Sequence, residues 1–329
     1  MDSITVENVT KTKTLKKAIV VPSYKVSDSL PLLLEKIPST SVDYIIVVDD
    51  KCPDGSGLGA EKLNKKNCVV IYHEQNQGVG GAVISGYLKA LDLGCDIIVK
   101  MDGDGQMDPA DLEKFIEALS RGSADYVKGN RFNDVTALRN MPKIRLFGNS
   151  VLSFIIKVVS GYWDIMDPTN GYTAIHRKVL ERIDLNKISK GYFFETNMLI
   201  ELNIVDAVVK DISIPAKYDN QNSSLSIGRV LIEFPFKLMN GLLRRIFLKY
   251  FVYDFNVASV CILLGVPLFM CGIIFGAKEW INSCLTGQPR TSGTIILIAL
   301  ILIVSFQMLL KAVSIDIYKT PKKPQFRTD

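Results

Sequence analysis

Five short runs of apolar, largely β-branched residues recur through the first 130 positions, and this recurrence constrains the fold more than any other feature. They are Ala18-Ile-Val-Val-Pro22, Tyr44-Ile-Ile-Val-Val48, Val69-Val-Ile-Tyr72, Cys95-Asp-Ile-Ile-Val-Lys-Met101 and Asp125-Tyr-Val-Lys-Gly129. Runs of this length without polar alternation suit strands covered on both faces. Between them, helices are predicted from about Ser27 to Ile37, from about Val79 to Leu93 and from about Asp108 to Leu119. In the second, Ala82, Val83, Gly86, Tyr87, Ala90 and Leu91 fall at helical spacing. Strands separated by helices predict an α/β domain with a mostly parallel sheet, whose ligands gather at the carboxyl ends of the strands. The polar clusters sit at such ends: Pro22-Ser-Tyr24, Asp49-Asp50, Asp102 with Asp104, and Asn130-Arg131.

The fourth run ends in Met101-Asp-Gly-Asp-Gly-Gln-Met-Asp-Pro109. Gly103 and Gly105 let the backbone turn closely around a ligand. Asp102 and Asp104 repel each other unless a cation stands between them, and hard carboxylate oxygens suit Mg²⁺ or Mn²⁺. Gln106 adds a neutral oxygen. An Asx-rich turn leading into a helix capped by Asp108 would use several of the same residues without any ligand.

Beyond residue 132 the pattern is less regular. Arg139 and Arg145 precede an apolar stretch to Val159 that suits an interfacial helix. Asp167-Pro-Thr-Asn-Gly-Tyr172 reads as a turn into a strand, Tyr192-Phe-Phe-Glu-Thr-Asn197 opens a helix, and Ala207 to Ala216 is extended. Two uncharged stretches follow, Phe255–Gly276 and Thr294–Leu310, the second continuing to Val313. About 20 helical residues cross the ~30 Å of hydrocarbon in a bilayer, so a transmembrane hairpin is expected.

Charge is unevenly placed around that hairpin. Residues 228–254 and 311–329 each carry five Lys/Arg against two acids, whereas residues 1–227 hold 27 basic and 29 acidic side chains. This pattern suits anionic lipid, and no basic and aromatic interleaving points to nucleic acid. By the positive-inside rule the first 250 residues and both termini are expected in the cytoplasm, at the inner (cytoplasmic) membrane. No signal peptide is read, because Lys11, Lys13, Lys16 and Lys17 precede only a short apolar run. The six cysteines form no C-x-x-C and have no His partners, which argues against zinc and redox sites. The expected division is a lead at 1–17, a catalytic domain at 18–227, juxtamembrane helices at 228–254, the hairpin at 255–313 and a cytoplasmic tail at 314–329. Thr320-Pro-Lys-Lys-Pro within that tail is expected to be disordered.

The ordered set Val21-Pro-Ser-Tyr24, Val47-Val-Asp-Asp50, Asn76-Gln-Gly-Val-Gly-Gly-Ala82, Met101-Asp-Gly-Asp-Gly-Gln106 and Lys128-Gly-Asn-Arg131 resembles the family 2 glycosyltransferases. Within them it is similar to the polyprenyl-phosphate glycosyltransferases, the group of dolichol-phosphate mannose synthase and its bacterial undecaprenyl relatives. The resemblance spans roughly residues 18–250. It implies a nucleotide-diphospho-sugar-binding domain of GT-A type, in which Pro22, Tyr24 and Asp50 line the nucleoside pocket. It also implies that Asp102, Gly103 and Asp104 meet the donor, with Asp102, Asp104 and Gln106 holding Mg²⁺ or Mn²⁺ on its diphosphate. Arg131 matches an arginine at the mouth of the donor site, and Arg131, Arg139, Arg145 and Arg229 are candidates for an acceptor phosphate. The glycines at 78, 80 and 81 match the family loop, although close packing of helix on sheet would also call for them.

The implied reaction is transfer of a sugar, with inversion, from a nucleotide-sugar donor to undecaprenyl phosphate or a similar carrier. A phosphate acceptor is already anionic and needs no general base. A sugar hydroxyl on a lipid-linked saccharide, the alternative acceptor, would need one, and Asp167 and Glu195 are the candidates. A non-catalytic sugar-nucleotide or lipid-binding membrane protein is a third reading. Two helices are too few to carry the sugar across, so a separate flippase is expected, and homo-oligomers could form through the hairpin.

Overall fold

A computed structural model describes residues 15–132, 143–215 and 227–325. Its sheet has seven strands in the order β3-β2-β1-β4-β6-β5-β7. They are β1 (Lys17–Ser23), β2 (Tyr44–Asp49), β3 (Cys68–Tyr72), β4 (Ile97–Lys100), β5 (Tyr126–Asn130), β6 (Thr173–His176) and β7 (Val209–Ser213). Alternate side chains of each strand enter opposite layers, as the pleat requires. Ile19, Val21, Val47 and Val99 face one helical layer, while Val20, Val48 and Ile98 face the other.

On the first face lie α1 (Ser29–Lys36) and α4 (Leu112–Ser120), joined at their end of the sheet by α2 (Ser56–Lys62). α4 buries Leu112, Phe115, Ile116 and Leu119 at i, i+3, i+4 and i+7, each contributing about 1.5–3 kcal/mol. The preceding turn is capped as the sequence predicts, with Asp108 Oδ1 accepting from Ala110 N at 3.0 Å and Pro109 at the first helical position. The second face carries α3 (Gly78–Asp92) and α6 (Phe194–Ile204), whose Val83, Tyr87, Met198 and Leu199 share one core.

β6 is the exception to parallel pairing. It runs antiparallel to both β4 and β5, with Thr173 opposite Lys100 on one side and Lys128 on the other. The chain leaves β5 at its carboxyl end, forms α5 (Lys143–Ser160), and comes back into the sheet from that same edge. The turn before β6, residues 167–172, is thereby delivered to the ligand-binding edge.

α7 (Ile227–Phe247) packs on α5 and α6, continues into a π-helical turn (Leu248–Tyr253), and leads to α8 (Val257–Thr286) and α9 (Ser292–Tyr318). Asn256 caps α8 through Ala258 N at 2.9 Å, and Ser259 Oγ accepts from Asn256 N at 2.9 Å in return. α8 and α9 pair with each other and leave Leu263, Ile274, Ile296 and Leu300 more than half exposed. These helices, 30 and 27 residues long, are long and apolar enough to cross a membrane. Both exceed the spans of 255–276 and 294–313 expected from composition, because polar residues at their ends extend the helices past the uncharged segments.

Two expectations are corrected here. The helices at 228–254 are expected to be interfacial, their basic excess meeting anionic lipid, yet three of those five basic residues, Arg244, Arg245 and Lys249, turn into the protein. Arg244 donates to Glu201 Oε2 at 3.0 Å, Arg245 to Asp316 Oδ1 at 2.7 Å, and Lys249 to Asn203 Oδ1 at 3.0 Å. Nor is the segment from Thr320 free as far as it is described. Gln325 N donates to both oxygens of Asp125 at 2.8 and 3.0 Å, and Gln325 Nε2 donates to the Val205 and Asp206 carbonyls. Composition signals an unstructured tail, but a few backbone and amide groups that find fixed acceptors suffice to dock one.

Candidate active site

The carboxyl ends of β1, β2 and β4 open into a cavity of about 450 Å³. Pro22, Tyr24, Asp50, Asp102, Gly103 and Asp104 all line it, so the structure brings these sequence-predicted residues together. Tyr24 is half exposed at its wall and offers a ring face. Asp50 is buried and engaged on both oxygens. Oδ1 accepts from Gln77 N at 2.8 Å and meets His73 Nδ1 at 2.7 Å, while Oδ2 accepts from Gly78 N at 2.8 Å. His73 Nε2 in turn meets Ser85 Oγ at 2.8 Å. Asp50 therefore fixes the start of α3 as well as lining the cavity.

The glycines of α3 divide between two tasks. Gly86 lies against Val20 of β1 with no room for a Cβ, which is packing of helix on sheet. Gly78, at φ +83°, and Gly80 instead admit another segment: a Cβ on either would collide with the carbonyl of Lys190 or Ser189. Gly81 N donates to Lys190 O at 3.1 Å, and Lys190 Nζ to Gln77 Oε1 at 3.0 Å. The strap so held, Ser189–Gly191, runs on through Tyr192 into α6, and Gly191 and Tyr192 form the far wall of the cavity.

A second cavity of about 170 Å³ shares Asp102 and Asp104 with the first and adds Gln106, Arg131, Asn170 and Gly171. Lys100, the last residue of β4 and 1% exposed, places Nζ 2.7 Å from Asp102 Oδ1 and 3.2 Å from Glu195 Oε1. Burial works against its charge, but the two carboxylates outweigh burial and hold the ammonium firmly protonated. Burial raises the Asp104 carboxyl above the ordinary carboxylate range, and the charge of Asp102 adds to that effect. A carboxyl group raised in this way gains from a cation beside it, so the donor set of Asp102, Asp104 and Gln106 fits a hard divalent ion. Among the described residues no group of three or more His, Cys, Asp or Glu side chains converges as a metal cage.

Arg131 and Asp167 close the far side. Nε of Arg131 lies 2.7 Å from Asp167 Oδ2 and its Nη2 lies 3.1 Å from Oδ1, a bidentate pair. Asp167 is fully buried and also accepts from Asn170 Nδ2 at 3.3 Å. Glu195, in the first turn of α6, is held by Lys100. Neither carboxylate named as a possible base is thus without a cation partner. Lys128, fully buried on β5, donates to the carbonyl of Asn170, and burial pushes its ammonium down to about 8 against the pull of Glu195 and Asp167. Burial likewise pushes Asp211 up to about 6. Arg139 lies outside the described residues, and so do the side chains of Arg145 and Arg229.

Sequence reasoning did not single out Lys100, Gly171 or the strap. The signal for Lys100 was present, as a lone lysine closing an otherwise apolar strand. Gly171 is visible only in three dimensions, where a Cβ would press on Lys100 Nζ and Asp102 Oδ2.

Residues 18–184 match the model of glycosyl transferase family 2. Over 213 residues the chain is 32% identical to UDP-N-acetylglucosamine–dolichyl-phosphate N-acetylglucosaminyltransferase of Methanococcus voltae, covering 59% of this chain and 84% of that one. It is 32% identical to polyprenol monophosphomannose synthase of Mycolicibacterium smegmatis, over 56% of this chain and 71% of the relative. It is 34% identical to undecaprenyl-phosphate mannosyltransferase of Micrococcus luteus, over 54% and 74%. Among solved structures, glucosyl-3-phosphoglycerate synthase from Mycobacterium tuberculosis in complex with Mn²⁺, UDP and phosphoglyceric acid superposes with a TM-score of 0.54. That likeness covers 70% of this chain and 78% of the other at 16% identity, and it speaks for a shared GT-A-like α/β fold alone.

Proposed function

The chain belongs to glycosyl transferase family 2 and is a nucleotide-sugar-dependent glycosyltransferase, and on that footing we propose that it transfers a sugar to the phosphate of a polyprenyl carrier in a membrane. The observation that carries the choice of acceptor is the pairing of both possible bases, Asp167 with Arg131 and Glu195 with Lys100. A carboxylate held by a cation is a poor proton acceptor. A phosphate monoester, with a second pKa of about 6, reaches the site already ionised and needs none. The names of the three relatives, each a transferase for a polyprenyl or dolichyl phosphate, support the same acceptor.

In this reading the nucleoside of the donor occupies the larger cavity between Tyr24 and the strap, and its diphosphate lies at Asp102 and Asp104, where the two cavities join. Those carboxylates, with Gln106, would hold Mg²⁺ or Mn²⁺, and the ion would neutralise charge on the departing nucleoside diphosphate. Mn²⁺ and Mg²⁺ accompany UDP in the structural relatives, which favours such an ion. Arg131, fixed in plane by Asp167, steers the acceptor phosphate towards the anomeric carbon. Its attack from the face opposite the leaving group inverts that carbon. Lys100 and Glu195 hold Asp102 in place, and Tyr192 and the strap exclude water from the donor.

The hairpin α8–α9 anchors the domain in the bilayer. The basic residues at 322, 323 and 327 favour a cytoplasmic face for the domain and both termini. Two helices enclose no polar passage, so a separate transporter would carry the glycolipid across. The test is transfer of labelled sugar from a panel of nucleotide sugars by the detergent-solubilised full chain, with Mn²⁺ or Mg²⁺ and undecaprenyl phosphate. An acid-labile, single-sugar lipid that disappears in Asp104→Asn is the expected result. Transfer only to a lipid-linked saccharide would overturn the phosphate acceptor.

A further inference from the structure

Among the described residues Lys100 is the one buried cation that touches Asp102, and its surroundings hold it there. It stands at the end of β4 in register with Thr173 of β6, 1% exposed, with Nζ 2.7 Å from Asp102 Oδ1 and 3.2 Å from Glu195 Oε1. On the remaining side Gly171 closes in: a Cβ there would lie 2.7 Å from Nζ and would collide with Asp102 Oδ2. One oxygen of Asp102 is thus held by the ammonium, and Gly171 packs so close that only a residue without a Cβ fits beside the other. Asp102 also has its own backbone N–H committed, to Met107 Sδ at 3.2 Å.

We propose that Lys100 is a positioning residue that acts as a resident monocation, so that the site retains a divalent ion only together with the diphosphate of the donor. This rests on the metal reading given above. Asp102, Asp104 and Glu195 bring three negative charges and Lys100 returns one. A divalent ion arriving alone meets a fixed ammonium, and in a solvent-open cavity, where screening approaches that of water, repulsion across a few ångströms weakens its binding by about tenfold. The diphosphate brings its own negative charge and further oxygens, and it reverses the balance. Lys100 meanwhile holds the Asp102 carboxylate in one orientation, so that the ion and diphosphate meet a set geometry. Glu195 enters as counter-ion to Lys100, which explains an acidic residue at the site that the reaction does not require.

The test measures Mn²⁺ binding to the full chain in detergent by electron paramagnetic resonance, with and without UDP, for the unaltered protein, Lys100→Met and Glu195→Gln. Melting temperatures verify that each variant is folded. The unaltered protein is expected to bind Mn²⁺ weakly alone and at least tenfold more tightly with UDP. Lys100→Met should bind Mn²⁺ alone about tenfold more tightly, shrinking the gain from UDP. Glu195→Gln, which leaves Lys100 less neutralised, should shift the affinity for Mn²⁺ alone the opposite way. A purely structural lysine would not give effects of opposite sign in the two variants. Unchanged or weaker Mn²⁺ binding in folded Lys100→Met overturns the proposal. Should Lys100→Met fail to fold, unchanged or tighter binding in Glu195→Gln overturns it instead. If the unaltered protein binds no Mn²⁺ even with UDP, the metal reading itself falls and takes this inference with it, an outcome distinct from loss of the Lys100 effect alone.

Discussion

Arg245 of α7 and Asp316 near the end of α9 form a bidentate pair, at 2.7 and 3.0 Å, across the junction of the catalytic domain with the hairpin. Arg245 is 1% exposed and also donates to the carbonyls of Val159 and Val158 at 2.8 and 3.0 Å. Tyr250 Oη donates to Asp316 Oδ1 at 2.7 Å, and Trp163 Nε1 to Oδ2 at 3.3 Å. Three separate segments of chain thus meet at one carboxylate.

Asp316→Leu is therefore expected to destabilise the junction by about 3–5 kcal/mol, because it leaves Arg245 buried without its counter-ion. The double variant Arg245→Met with Asp316→Leu should recover much of that loss, since no charge is then stranded. Melting temperatures in detergent, together with protease sensitivity of residues 248–256, measure both. A double variant no better than the single one would mean that the geometry of the hydrogen bonds, not the stranded charge, dominates.

Arg131 and Asp167 make a separable prediction about chemistry. Arg131→Ala should lower kcat/KM for the acceptor by about 10²–10³, as expected for loss of a bidentate phosphate contact. Asp167→Asn keeps the shape and loosens the arginine, so a fall of about tenfold is expected, with an unchanged pH profile. Loss of a general base would cost about 10²–10⁴ and remove the acidic limb of the profile. Steady-state kinetics of Asp167→Asn across pH decides between these.

Much of this was legible in the sequence, for definite reasons. β1, β2 and β4 are covered on both faces, and such strands must be written as unbroken apolar runs. Their carboxyl ends are then marked by the first polar residues, which is why Pro22, Tyr24, Asp50, Asp102 and Asp104 could be picked out together. β6 was harder to place, because Thr173–His176 contains only four residues and nothing local tells a strand which neighbour it will join or in which direction. The inward turn of Arg244, Arg245 and Lys249 was hidden for a similar reason. A basic residue beside an apolar span reads as lipid-facing until Glu201, Asp316 and Asn203, distant in sequence, are found to await it.

Gly80 offers a test of the strap. A Cβ at 80 would strike the Ser189 carbonyl, which is backbone and cannot swing aside. Gly80→Ala is expected to raise the donor KM more than tenfold by displacing Ser189–Gly191 from the cavity wall, with a smaller effect on acceptor KM. Gly59→Ala is the control, because its Cβ would meet only Pro31 Cγ at 3.8 Å. Equal donor KM values for the two variants would show that the strap does not shape the donor cavity.

His176 predicts how stability responds to acid. Burial pushes its imidazole down to about 4 from the usual 6.5, and His176 Nδ1 accepts from Lys178 N at 3.2 Å, as a neutral ring can. Between those two values the unfolded chain binds a proton that the folded chain refuses, so stability falls as pH drops from 6.5 towards 4. The loss approaches about 3 kcal/mol for the full shift. Melting temperatures across that window should fall less steeply for His176→Gln than for the unaltered protein. Parallel slopes would assign the acid sensitivity to other groups.

The hairpin is fastened to the catalytic domain at both of its ends. On entry, α7 and the π-helical turn are locked by Arg245; on exit, Lys319 pairs with Asp254, Thr320 Oγ1 donates to Gly161 O at 3.4 Å, and Gln325 reaches Asp125 at the start of β5. A domain on a single tether could swing about it, whereas one fastened at both ends of a helical pair keeps a fixed bearing to α8 and α9. Under the function proposed above, that bearing sets a single height along the hairpin at which an acceptor phosphate meets Arg131 and Asp104.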